Sequence, residues 1–116
     1  MSKQNAEHYT WGKECDGWWL VQNDAFTVIE ENMPPSTSEK QHYHEKTGQF
    51  FYCLEGRLDI QMDGHNFYLN ASEGLFVKAG SIHKVKNNSE NPTRFLVISC
   101  PNSHSDRIEI DEVYPL

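Results

Sequence analysis

The stretch HYHEKTGQFFYCLEG, residues 42–56, decides how this chain is read. Successive side chains of a strand point to opposite faces, so His42 and His44 share one face while Tyr43 takes the other. Gln49 opens an apolar run, QFFYCL, along which Gln49, Phe51 and Cys53 share a face, and Gly56 closes the stretch. Two imidazoles on one face can hold a divalent metal, but His-x-His also occurs on exposed strands that bind nothing. The choice rests on whether other segments bring further donors to the same place.

Beyond this stretch, from Trp18 onward, short apolar or alternating runs are separated by turn residues: WWLVQ, FTVIEENM, QHYH, QFFYCLEG, RLDIQM, HNFYL, GLFVK, IHKVK and RFLVIS. None has a helical period, so the chain reads as all-β. In RLDIQM, Leu58, Ile60 and Met62 alternate with Asp59 and Gln61, which predicts one buried and one wet face. Asp63 and Gly64 both tolerate positive φ and supply the two-residue hairpin turn that follows. Short strands joined by short turns fit a sandwich or a double-sheet jelly roll, and periodicity does not choose between them. QFFYCL and RFLVIS are apolar on both faces, which predicts cover on both sides, the second from a neighbouring subunit. Residues 1–10 are polar and aperiodic and read as an arm ordered only by docking, leaving 11–116 as one domain.

The 116 residues are 37% hydrophobic and 12% aromatic, enough for one core without disulfide staples. Seventeen acidic against ten basic residues give a net charge of −7, which repels phosphates and acidic membrane surfaces. Neither nucleic acid nor a membrane is expected as a partner, and Lys78, Lys84 and Lys86 read as a solvated strand face. With no apolar run near the roughly 20 residues of a membrane span and no apolar leader, the expected location is cytoplasmic. Cys15, Cys53 and Cys100 have no Cys-x-x-Cys spacing and read as reduced thiols.

A third histidine, His83, lies in GLFVKAGSIHKVKN, three residues after Gly80, which permits a tight turn. Three imidazole nitrogens and the Gln49 amide oxygen suit zinc, nickel, iron or manganese better than calcium or magnesium, which favour oxygen.

His42-x-His44, Gln49 and Gly56, followed by Gly80, His83 and Asn87, resemble in order and spacing the two paired motifs of the cupin superfamily. The resemblance covers residues 34–87. It implies a double-stranded β-helix (jelly roll) barrel with motifs at 36–56 and 72–87, and one divalent transition metal held by His42, His44, Gln49 and His83. It further implies a homodimer formed through the sheets, with Trp11, Trp18 and Trp19 as candidate interface. The chain departs from the pattern at Ser36 and Ser72, where glycine is usual, at Lys78, where proline is usual, and at Gln49, where glutamate is usual.

A neutral amide in place of a carboxylate leaves the metal unit one charge more positive, which favours Lewis-acid over redox chemistry. The same ligand set is similar to that of some non-oxidative cupins, including openers of unsaturated uronate rings and some polyketide cyclases. The expectation is an enzyme acting on a sugar-like or otherwise oxygenated small-molecule substrate by isomerisation, lyase chemistry or ring opening. Alternatives are a dioxygenase of the quercetin-dioxygenase-like kind and a non-catalytic small-molecule-binding cupin. Cys53 reads as packing, since no histidine is placed in sequence to activate it. In PNSHSDRIEI, five neighbours cannot easily form a triad; His104 or Arg107 are candidates for the cavity mouth. No residue stands out as a general base.

Overall fold

The computed structural model describes residues 1–103 and 106–110. Its strands are β1 (Glu7–Trp11), β2 (Cys15–Gln22), β3 (Thr27–Met33), β4 (Thr37–Ser38), β5 (His42–His44), β6 (Gly48–Glu55), β7 (Arg57–Met62), β8 (His65–Asn70), β9 (Gly74–Val77), β10 (His83–Asn87), β11 (Thr93–Cys100) and β12 (Arg107–Glu109). They form two antiparallel sheets. The first runs β1-β2-β3-β11-β6-β9; the second runs β12-β5-β10-β7-β8, with β4 beside β10. The architecture is the expected all-β jelly roll. No helix among the described residues is long and apolar enough to cross a membrane.

All nine apolar runs read from the sequence are strands, and their alternation sets which side chains meet. Register aligns Ile29, Val97 and Phe51 across β3, β11 and β6 on the inner face of the first sheet. From the second sheet, Leu58, Ile60, Leu69 and Val85 complete the core. Cys53 lies in this core with no exposed surface, and burial pushes its thiol pKa up, so it is packing, as read.

The Asp63-Gly64 hairpin is present with φ of 51° and 85°, the double left-handed turn its residues favour. Ser36 and Ser72 retain left-handed backbone, at φ 62° and 71°, although each carries a side chain. The turn geometry at both places demands what glycine adopts freely, and serine adopts it under strain.

Three strands escaped the sequence reading. Part of the expected polar arm docks: β1 pairs with β2 from Glu7 opposite Trp19 to Trp11 opposite Cys15. The short β4 and β12 are the others. Two further expectations need correction. Asp59 and Gln61, read as the wet face of β7, are buried, because Asp59 accepts two bonds from Arg57 and Gln61 accepts one from Gln41. Lys84 and Lys86, read as solvated, are buried on that same face, where Lys86 stands opposite Asp59. Polar side chains with partners are as buriable as apolar ones, and alternation alone does not reveal the partners.

The outer face of the first sheet carries an unbroken apolar row, Val21, Val28, Ile98, Phe50 and Phe76, each opposite the next across five strands. Trp18, Leu96 and Tyr52 flank it. Phe50 and Phe76 remain 37% and 60% exposed. This is the second face of QFFYCL and RFLVIS, and within one described chain it is uncovered.

Candidate metal centre

The second sheet carries the three histidines and the first carries the glutamine. In register, His42 of β5 stands opposite His83 of β10. The turn before β10 uses Gly80 at φ 88°, and its N–H donates to the His44 carbonyl at 2.7 Å, tying the two histidine segments together. After His44, the Asp106 carboxylate accepts the backbone N–H groups of Glu45, Lys46 and Thr47 at 3.0 to 3.1 Å. That clamp, from a segment far away in sequence, fixes the loop that leads into β6 and Gln49.

The ligating atoms of His42, His44 and His83 lie within 4.8 Å of one another, close enough for one ion with small side-chain adjustment. All three rings are buried, at 2%, 5% and 2% exposure. Burial, with Arg107 nearby, takes the His42 pKa down to about 3; burial, with His42 nearby, takes His83 to about 4; burial also lowers His44. Neutral imidazoles at neutral pH keep a lone pair for a metal and carry no proton to displace.

Hydrogen bonding tests the fit. His42 donates from Nδ1 to the Lys40 carbonyl at 2.9 Å, which leaves Nε2 as a free lone pair. His83 Nδ1 faces the Ser81 carbonyl at 2.8 Å and its Nε2 faces Gln49 Oε1 at 3.0 Å. A neutral imidazole has one N–H and cannot donate to both acceptors. Gln49 Nε2 donates to Ser99 Oγ at 3.0 Å, and because the Ser99 hydroxyl can also donate, a turned amide would satisfy His83 by itself. His44 decides the fit: among the described residues, neither of its buried ring nitrogens has a partner. Buried polar atoms almost always find partners, so an orphaned imidazole beside the His42 and His83 rings fits a cation bound among them.

All four residues read from sequence as ligands meet here. Of the four, His42, His44 and Gln49 line a cavity of about 180 Å³, which Tyr9, Glu31, Glu39, Ser99 and Arg107 also line. Arg107, a candidate for the cavity mouth, stands opposite His44 on β12 and donates to Glu39 Oε2 at 3.3 Å. His104, the other candidate, lies outside the described residues. A second, larger cleft of about 580 Å³ adjoins the first through Tyr9, Glu31, Glu39 and Arg107, which line both, and is flanked by Trp11 and Lys40. Trp11 thus packs at the core edge and lines a cleft, Trp19 lies against Tyr9 at 5.6 Å, and Trp18 faces outward.

Sequence reading missed the two glutamates. Glu31 sits in FTVIEENM beside Glu30, and only register shows that Glu31 points inward and Glu30 outward. Burial pushes the Glu31 pKa up to about 7, against the opposing pull of the Tyr9 hydroxyl that donates to it at 2.6 Å.

A family model described as "Cupin domain" matches residues 29–99. The chain belongs to the cupin family. Among proteins similar to this cupin are "Polyketide synthase CurC" of Streptomyces cyaneus, 33% identical over 64 residues, and "Quercetin 2,3-dioxygenase" of Bacillus subtilis, 34% identical over 61. Those matches cover 55% and 53% of this chain but only 42% and 18% of the relatives, so the cupin spans less than half of either one's length. The solved structure of the polyketide cyclase RemF from Streptomyces resistomycificus superimposes with a TM-score of 0.77 at 21% identity, covering 100% of this chain and 85% of that one. That likeness concerns the fold.

Proposed function

We propose that this cupin is a mononuclear metal enzyme that uses the ion as a Lewis acid on a small oxygenated substrate. The observation that carries the reading is His44, buried with neither ring nitrogen partnered among the described residues, in one cluster with His42 and His83 and beside the Gln49 amide. His42, His44, His83 and Gln49 would hold the ion, which supplies polarisation of a carbonyl or hydroxyl oxygen when bound. Every donor is neutral, which leaves the ion's charge available for an anionic or polarisable ligand oxygen. On one side of that point Ile29, Phe51, Val85 and Val97 form an apolar wall, which lowers the screening of charge developing on a ligand there. Similarity to the relative named as a polyketide synthase supports a polyketide-like, oxygenated substrate.

The test is elemental analysis of the purified protein beside Gln49→Ala and His83→Ala. Near-stoichiometric zinc, nickel, iron or manganese in the wild type, reduced in both variants, supports the reading. A wild type that stays empty after incubation with each of the four metals overturns it. Similarity to the quercetin dioxygenase favours a second reading, oxidative cleavage. Oxygen uptake by the iron-loaded protein with a flavonoid would establish that one instead.

A second copy of the chain is the proposed cover for the outer row of Val21, Val28, Ile98, Phe50 and Phe76. The row is uncharged and self-complementary under a two-fold axis, whereas the rest of this acidic chain repels itself. Sedimentation at micromolar concentration should show a dimer, and Phe50→Glu should dissociate it; a monomeric wild type would refute the proposal.

A further inference from the structure

The metal cavity has a second chemical pole. Across β1, β2 and β3, register aligns Tyr9, Gly17 and Glu31 in one row. Gly17 is the reason that row works: a Cβ there would overlap the Tyr9 ring. The missing side chain lets Tyr9 lie across β2 and place its hydroxyl 2.6 Å from Glu31 Oε2. The N-terminal strand thus reaches a half-buried carboxyl.

Glu31 and Glu39 line the same cavity, yet their surroundings differ. Glu39 accepts the Val85 N–H at 3.0 Å through one oxygen and Arg107 at 3.3 Å through the other, so both of its oxygens are engaged. Among the described residues, Glu31 has the neutral Tyr9 hydroxyl as its one hydrogen-bond donor, with Arg107 acting on it through space without a hydrogen bond. Two carboxyls in one cavity, one held by a cation and a backbone amide and the other not, is the arrangement that separates a fixed charge from a proton carrier.

We propose that Glu31 is the proton-transfer residue of this cavity, held by Tyr9, and that it acts on the carbon beside the carbonyl of an extended α-hydroxy carbonyl compound. This rests on the metal reading above. The inner cavity of about 180 Å³ takes the hydroxy-carbonyl end, and the adjoining cleft of about 580 Å³, walled by Tyr9 and Trp11, takes a ring or chain. In the step, the substrate C–H breaks, its electron pair moves toward the carbonyl oxygen, and the proton bonds to Glu31. Return of that proton to the same carbon, or to the neighbouring carbon with the hydroxyl proton passing to the former carbonyl oxygen, closes the cycle with no oxidant. Isomerisation, ring opening and aldol-type closure all begin this way. Tyr9 is a positioning residue: by donating to the carboxylate it favours the proton-accepting form.

The probe is 2-hydroxyacetophenone in D2O, with loss of its CH2 signal followed by proton NMR between pH 5 and 9. Zinc-loaded wild type, Glu31→Gln, Glu31→Asp and Tyr9→Phe are compared, with zinc per chain measured in the same samples. Independently, 13C NMR of side-chain-labelled glutamate follows the Glu31 carboxyl, assigned by its absence in Glu31→Gln. The expected result is exchange in the wild type that rises with the Glu31 titration near pH 7. Glu31→Gln should lose at least about 100-fold at unchanged zinc content, the scale of general-base catalysis. Glu31→Asp should recover part of it, and Tyr9→Phe should move the midpoint to higher pH. Exchange undiminished in Glu31→Gln, a fully zinc-loaded wild type no faster than Glu31→Gln, or a Glu31 carboxyl titrating below pH 5 would each overturn the proposal. A wild type without zinc sinks the metal reading instead, and the carboxyl titration then decides Glu31 alone.

Discussion

Replacing His44 with leucine should make the metal-free protein more stable while abolishing its response to zinc. The His44 ring is 5% exposed and neither nitrogen has a partner. An unsatisfied buried polar atom costs about 1–3 kcal/mol, so at the lower bound two of them cost about 2 kcal/mol. Leucine has a similar volume and no polar atoms, which removes that cost without opening a cavity. At about 4 °C per kcal/mol for a domain of this size, the metal-free variant should melt about 8 °C above the metal-free wild type. Zinc at 1,000 times its dissociation constant would add about 4 kcal/mol to the wild type and reverse the order. Calorimetry in chelator and then in zinc reads both effects. A metal-free His44→Leu that melts below the wild type, or shows the same zinc-induced rise, would refute the idea that His44 is kept strained for a metal.

Acid should destabilise the metal-free protein in a defined window. His42 and His83 are held to about 3 and 4 when folded and return to 6.5 when unfolded, so below pH 6.5 the unfolded chain binds more protons and stability falls with pH. Glu31, raised from 4.5 to about 7, works in the opposite sense over the same range. Two histidines against one glutamate, with His44 lowered by burial as well, leave a net loss of at least about 1.4 kcal/mol per pH unit between 6.5 and 4.5, which urea midpoints in chelator will show. In Glu31→Gln the slope should steepen by about the same 1.4 kcal/mol per pH unit; a slope that is flat in both proteins contradicts the assigned charge states. At the two strained turns, Ser36→Gly and Ser72→Gly should each stabilise by about 1 kcal/mol, read from denaturant midpoints, with no change in metal content. Gly17→Ala should displace Tyr9 and raise the Glu31 midpoint in the carbon NMR titration, as Tyr9→Phe does; an unmoved midpoint means the ring does not need that space.

Alternation and turn chemistry made most of this fold legible. RLDIQM followed by Asp63-Gly64 specified a strand and its hairpin, and the order and spacing of His42, His44, Gln49 and His83, together with the cupin resemblance, named the candidate donors that the structure brings close. What stayed hidden shares one cause: it depends on which strands become neighbours. Asp59 and Gln61 alternate like a wet face and are buried because Arg57 and Gln41 reach them. β12 has three residues and is a strand only because β5 offers it an edge. Glu31 is indistinguishable from Glu30 until register turns one inward. The polar arm, too short and too hydrophilic to bury anything by itself, becomes a strand by adding to the edge of β2 and carrying Tyr9 across Gly17.

That last element explains how one cavity can hold both a cation and a carboxylic acid without the two neutralising each other. The donors proposed for the cation come from β5, β6 and β10 and are all uncharged, so no ligand charge would cancel its attraction for substrate oxygen. The acid comes from β3, in the row that Tyr9 of the N-terminal strand reaches, where Tyr9 gives it a neutral donor and, among the described residues, no cation is hydrogen-bonded to it. Glu39, the other carboxyl in the cavity, is drawn away by Arg107 of β12 and the Val85 amide. Had Gln49 been a glutamate, its charge would lie among the metal ligands and weaken the polarising power of the ion. A substrate would then lose part of the pull on its oxygen that makes its neighbouring C–H acidic, which is the property Glu31 needs. Gln49→Glu should therefore keep or tighten metal binding while slowing deuterium exchange into 2-hydroxyacetophenone. Exchange as fast or faster in the zinc-loaded Gln49→Glu protein would show that the neutral amide has no part in the chemistry.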